Sequence, residues 1–189
     1  MGGPTTRSTD LQVERITGVG VTTVASPLGA DSLSREVPGL LARAAALECE
    51  GISAYCDTGG WKNPVPTLSG DPQADVAYMD RVLGVKGAGS EPMAPAYTIE
   101  ELCRLAHAAW TGGRLAGKHA VLHVHAGDLP DGLAPVREVQ RRTGIPAERL
   151  MVTHVNRNPA LWRQAMEYAK AGGSIDLTTM QRPETNHLQ

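Results

Sequence analysis

Apolar residues fall in short runs along the chain, separated by amphipathic stretches. The runs are GVTTVAS (20–26), GISAYC (51–56), RVLGVK (81–86), AVLHVHAG (120–127), LMVTHVN (150–156) and SIDLTT (174–179). Each is short and bounded by turn residues, the signature of a strand covered on both faces. Helical patterns alternate with them. VPGLLARAAALECEG (37–51) begins with a proline suited to a first turn and ends at Gly51. TIEELCRLAHAAWTGG (98–113) opens with Thr98 and Glu101 at capping-box spacing and is expected to stop at Gly112. DGLAPVREVQRRTG (131–144) and NPALWRQAMEYAKAGG (158–173) also close on glycine. In the latter, Asn158 is placed to cap the helix and Pro159 to occupy its first turn. A further helix is expected around STDLQVERITG (8–18). Residues 57–80 read as loop with one short helix near DPQADVAYMD (71–80).

Strands alternating with helices predict a parallel sheet with right-handed crossovers. Six strands at about 30 residues per unit match the spacing of a (β/α)₈ TIM barrel. A doubly wound sheet is the competing fold, and the order of elements alone does not separate the two. Its usual glycine-rich phosphate loop after the first strand is missing, because GVG (18–20) precedes the run and SPLGADS follows it. The polar, aperiodic end, QRPETNHLQ (181–189), is expected to be a disordered tail beyond a single domain over 1–180.

Composition narrows the core and the partners. Phenylalanine is absent and aromatics are 4%, so the interior must be built from Ala, Val, Leu and Ile. A net charge of −2 gives no electrostatic case for nucleic acid or an anionic membrane. The densest basic group, Arg137, Arg141 and Arg142, falls on a predicted helix and reads as a solvated face. Cys49, Cys56 and Cys103 show no paired spacing, and no apolar stretch approaches the ~20 residues of a membrane span. The N-terminus lacks the apolar region of an export signal. Together these features predict a cytoplasmic location.

The chemistry concentrates at strand ends, where parallel α/β folds build their sites. Lys86, His125 and His154 end three successive runs, each followed by loop-like or polar sequence. A lone lysine there would reach out to water, and a lone histidine would be a hydrogen-bonded structural residue. Two imidazoles and an amine converging on one mouth instead suggest a metal set. An amine in a dry pocket has a lowered pKa and, once neutral, can add carbon dioxide to become a carbamate. That carbamate would act like a carboxylate beside two imidazoles. His123 shares a strand face with His125 and is a rival ligand. It would lie one layer deeper, where a satisfied core histidine is expected. Asp57 and Asp128 follow strands and could be metal ligands or loop residues, the loop reading being the better of the two. Asp176, within the last run, would be buried and need a partner. Arg157 precedes a helix cap, and Trp110 and Trp162 read as core.

Several segments, GGPTTR, GVTTVASPLGADSLSR, EGISAY, DRVLGVK, HVHAGD and THVNRNPALWRQAMEYAKAGGSID, resemble isoaspartyl dipeptidase (β-aspartyl peptidase) of the amidohydrolase superfamily, from residue 2 to about 178. The resemblance implies a metal-dependent (β/α)₈ enzyme that hydrolyses β-aspartyl dipeptides with two zinc ions, and a homo-oligomer in the intact family. Lys86 would be the bridging carbamate, His125 and His154 ligands of one metal, and Arg157 a binder of a substrate carboxylate. Trp61 stands where the family has a tyrosine that polarises the scissile carbonyl, Met93 where it has a second substrate arginine, and Met1 where it has a glutamate near the substrate amine. The family's H-x-H strand should lie upstream of GGPTTR, and its strand with the general-base aspartate should lie well downstream of SIDLTT. The expectation is therefore a partial barrel lacking the first and last strands. No general base is assigned, at most one zinc is well liganded, and activity is little or none. A non-catalytic remnant or oligomerising partner is one alternative. A hydrolase of another amide, of dihydroorotase or hydantoinase type, is the other, suggested by Trp61 and Met93.

Overall fold

The computed structural model describes residues 10–179. The 181–189 tail, Met1 and all of GGPTTR lie outside them. Five strands form one parallel sheet: β1 (Thr23–Ser26), β2 (Ser53–Gly59), β3 (Val82–Gly89), β4 (Val121–Ala126) and β5 (Leu150–Thr153). Six α-helices accompany them: α1 (Val13–Thr17), α2 (Val37–Cys49), α3 (Pro72–Tyr78), α4 (Ile99–Ala116), α5 (Ala134–Thr143) and α6 (Pro159–Lys170). The strand order follows the chain, β1-β2-β3-β4-β5. A doubly wound sheet reverses direction at a switch point. A sheet that never reverses, with right-handed crossovers, keeps its helices on one face and curls. The fold is thus a half-barrel of the (β/α)₈ type.

The two sheet faces differ in chemistry. Val85, Leu122, Val124, Leu150 and Val152 pack with Leu102, Leu105, Val136, Val139, Leu161 and Ala165 of the helices in one continuous core. At ~1.5–3 kcal/mol per fully buried aliphatic side chain, this layer is the main stabilising element. The opposite, inner face carries alternate residues of the same strands. Parallel register sets Gly59 beside Lys86, Lys86 beside His123, and His125 beside Thr153.

Local signals account for most helix ends. Thr98 and Glu101 form the capping box, with Glu101 N–H donating to Thr98 Oγ1 (3.2 Å) and Thr98 N–H to Glu101 Oε2 (2.7 Å). Asn158 Oδ1 accepts from Leu161 N–H at 2.8 Å, and Pro159 opens α6. α3 lies where the short helix was predicted, capped by Asp71. Arg141 and Arg142 lie on an exposed face, ion-paired to Glu138, with Arg142 also reaching Glu100. Trp110 and Trp162 are partly buried against the core.

Five expectations need correction. α4 does not stop at Gly112 but continues to Ala116, ending at Gly117 in the left-handed region (φ 67°). Gly112 is there for packing: a Cβ on it would lie 2.7 Å from the Gln73 carbonyl oxygen and 2.9 Å from Val76 Cβ on α3. Among the described residues, the N-terminal helix covers only the five residues of α1. β2 runs on past Cys56, so Asp57 is a strand residue, 5% exposed, rather than a loop residue. The sixth strand is reduced to a single bridge, Val152 with Ile175, held by Val152 N–H to Ser174 O (3.0 Å) and Asp176 N–H to Val152 O (2.8 Å). Pairing lapses after Asp176, so that residue is exposed instead of buried, although it does have a partner, the Thr153 hydroxyl.

Candidate active site

Lys86 does not reach water. It is 2% exposed, on the inner face between Gly59 and His123. Burial draws its amine down from 10.5 to about 8, against the opposing pull of Asp57 and Asp176. An appreciable neutral fraction exists near physiological pH, the state that nucleophilic addition to carbon dioxide needs.

His125 and His154 do converge. Their ring centroids are 4.2 Å apart at an interplanar angle of 59°. Burial, then the charges of His154, Arg157 and Lys86, draw His125 down to about 3 despite its hydrogen bond to Glu91. Burial, Lys86 and Arg157 likewise draw His154 to about 4, against Asp176. Both rings are neutral at pH 7, as metal ligation requires. His154 leaves β5 with φ 67°, a conformation costing a non-glycine residue on the order of 1 kcal/mol or more and characteristic of functional positions. The turn is fixed by contact of its Nδ1 with the Thr178 hydroxyl. It is reinforced by Asn156, whose Nδ2 donates to Thr178 O (2.8 Å) and whose Oδ1 accepts from Thr178 N–H (3.0 Å).

His123 is only half satisfied. Its Nδ1 is 2.8 Å from Asp57 Oδ2, while its buried Nε2 has no partner among the described residues. A carboxylate facing Nδ1 places the proton there and leaves Nε2 as an acceptor. The orphaned lone pair, two neutral imidazoles and a depressed amine fit a divalent metal of zinc type. Among the described residues, no group of three His, Cys, Asp or Glu side chains could hold a metal ion. A site here therefore needs Lys86 as an anionic donor.

Trp61 and Arg157 reach the same mouth. Trp61 meets His125 edge-on, with centroids 4.6 Å apart, and its buried Nε1–H has no acceptor among the described residues. Its backbone N–H donates to Ser32 Oγ (3.1 Å), and the Tyr97 hydroxyl lies 2.6 Å from Lys62 O. Asp75, fully buried, secures the following loop through Thr58, Leu68 and Ser69. Arg157 Nη1 donates to Glu91 Oε2 at 2.9 Å, and the same oxygen is 2.9 Å from His125 Nε2. Burial raises the Glu91 carboxyl, but hydrogen bonds from Met93 N–H, Arg157 and His125 hold it below its usual value. Asp57 and Glu91 were not assigned to the site from sequence. Asp128 stays an exposed loop residue, and Met93 is 72% exposed.

No family model matches the chain. Among solved structures, the β-aspartyl dipeptidase of the thermophilic keratin-degrading Fervidobacterium islandicum AW-1, in complex with β-Asp-Leu dipeptide, is 34% identical. The match has a TM-score of 0.92 and covers 98% of this chain and 50% of that one. A second structure of the enzyme gives 34% identity, a TM-score of 0.90 and coverage of 95% and 49%. The chain belongs with the β-aspartyl dipeptidases of the amidohydrolase superfamily. It spans about half the length of these dipeptidases. The Escherichia coli phosphotriesterase homology protein, 14% identical with a TM-score of 0.66 over 92% of this chain and 61% of that one, shares the fold alone. No helix among the described residues is long and apolar enough to cross a membrane.

Proposed function

We propose that this half-barrel carries one side of a metal-assisted amide-hydrolase site for small peptides of the β-aspartyl dipeptide type. Lys86 as its carbamate, together with His125 and His154, would hold a zinc ion. Bound there, zinc would polarise the amide carbonyl and acidify a water. The chain's own residues supply binding and orientation. Trp61 offers an N–H donor beside His125 that has no acceptor among the described residues and is suited to a carbonyl oxygen, though an indole cannot act as a phenol does. Arg157 faces the end group of the substrate. The observation that carries the reading is a pair of imidazoles with ring centroids 4.2 Å apart, beside a buried amine whose charge acts on both.

The test is equilibrium dialysis against zinc in bicarbonate buffer. One zinc per chain is expected, lost with bicarbonate-free buffer and in Lys86→Met. Stoichiometric binding unaffected by either change would remove the reading. Turnover of β-Asp-Leu is expected to be weak, because at most one zinc finds a protein donor set among the described residues.

A further inference from the structure

The group facing Arg157 is a carboxylate of the chain itself. The Glu91 side chain is 5% exposed, and its Oε2 lies 2.9 Å from both Arg157 Nη1 and His125 Nε2. A second carboxylate, Asp128 Oδ2, approaches the same Nη1 at 3.6 Å. The guanidinium thus meets two negative charges before any substrate arrives, and the surplus there is negative.

The placement of Glu91 is built into the backbone. Ser90 takes φ 56°, a left-handed conformation uncommon outside glycine, and its buried hydroxyl donates to Gly132 O at 2.7 Å. The turn folds Glu91 back over the end of β4, where Gly127 leaves the space: a Cβ on Gly127 would lie 2.3 Å from Glu91 Cα. Leu129 N–H to Ser90 O (2.9 Å) and Gly127 N–H to Gly89 O (3.1 Å) tie the two loops together. Met93, two residues on, adds no positive charge.

From this geometry we infer that Glu91 is a specificity residue that occupies Arg157 and selects substrates uncharged at that end, such as a carboxamide, over those carrying a free carboxylate. The inference rests on the amide-site reading above. A substrate carboxylate must displace an ordered, charge-assisted hydrogen bond and approach two like charges, whereas a carboxamide can donate its own N–H to Glu91. A bond of this kind carries a preference of about 10- to 100-fold.

The experiment is titration calorimetry of the whole chain, with zinc and bicarbonate, using β-Asp-Leu and the two monoamides made by converting either of its carboxylates to a carboxamide. At least one monoamide should bind about tenfold more tightly than the diacid. Glu91→Gln, which keeps shape and hydrogen-bonding length, should reverse the order. Asp128→Asn, at an exposed position, should move the ratio in the same direction by a smaller factor. A parent that binds the diacid most tightly, with the order unchanged in both variants, would overturn the inference and leave the amide-site reading standing. Failure of all three ligands to bind parent and variants alike would remove that reading and the inference with it.

Discussion

Replacing Lys86 by methionine should make the metal-free chain more stable at neutral pH, although it deletes the central residue of the site. Only 2% of Lys86 is exposed, and burial lowers its amine from 10.5 to about 8, with Asp57 and Asp176 restoring only part of the loss. A lowering from 10.5 to about 8 means that the folded state carries ~3 kcal/mol of cost for keeping the ammonium at pH 7. Between those two values the unfolded chain binds the proton and the folded chain does not, so stability rises with pH across the window. The cost is fully present below pH 8 and gone above about 10.5. Methionine is unbranched and fits the same channel without charge. It also leaves Asp57 and Asp176 without a cation, so the expected gain at pH 7 is trimmed to about 2 kcal/mol. At pH 9.5 the folded lysine is mostly neutral while the unfolded one is still charged. That relieves ~2 kcal/mol, and the advantage of the variant should vanish. Urea denaturation of both proteins at pH 7.0 and 9.5, in carbon-dioxide-free buffer with chelator, measures the difference while other titrating groups cancel. A Lys86→Met chain less stable than the parent at pH 7, or an equal advantage at both pH values, would refute a charged amine in a dry site.

Asp57→Asn should cost about 1–3 kcal/mol, because it removes the charge that orients a buried imidazole. Nitrogen-15 spectra of the His123 ring should then show a mixture of tautomers where the parent shows the Nδ1–H form. Gly112→Ala should destabilise the chain by about 1–3 kcal/mol in thermal or urea denaturation, despite alanine's ~1 kcal/mol helix advantage, because its Cβ meets backbone of α3 that cannot yield. Thr98→Ala should cost about 1 kcal/mol through loss of the capping box, read as a lower urea midpoint with unchanged slope.

The parts of this molecule legible in the sequence are those whose causes are local. Apolar runs and cap residues predicted the five strands and most helix ends because each signal lies within a few residues of its effect, as with Thr98 and Glu101; the sixth run, SIDLTT, forms only a bridge. Lys86, His125 and His154 were legible because a parallel sheet brings successive strand ends to one mouth. Gly112 misled, since a glycine that admits a neighbouring helix looks the same in sequence as one that ends its own. Asp57 and Glu91 were missed for a related reason. Asp57 depends on β2 continuing past an apolar run, and Glu91 on a left-handed Ser90 meeting the space at Gly127. Both causes lie in elements far away in the chain. An acidic residue one or five positions past an apolar run was the available signal, but surface loops carry such residues just as often.

The charge balance of the inner face ties these misses to the proposed chemistry. Lys86 and Arg157 are its cations; Asp57 acts on Lys86 and Glu91 on Arg157, Asp176 adds a third negative charge, and His125 and His154 are neutral. With an ammonium at Lys86, these groups already carry one net negative charge. Conversion of that amine to a carbamate moves the balance by two charges and leaves an excess of anions around a buried group. Such an excess is costly unless a divalent cation offsets it. On the proposed reading, carbon dioxide uptake and metal binding are therefore one coupled equilibrium, each weak without the other. The carboxylates that escaped sequence reading set the strength of that coupling: Asp57 through Lys86 and His123, and Glu91 by holding His125 and Arg157 in place until a ligand arrives.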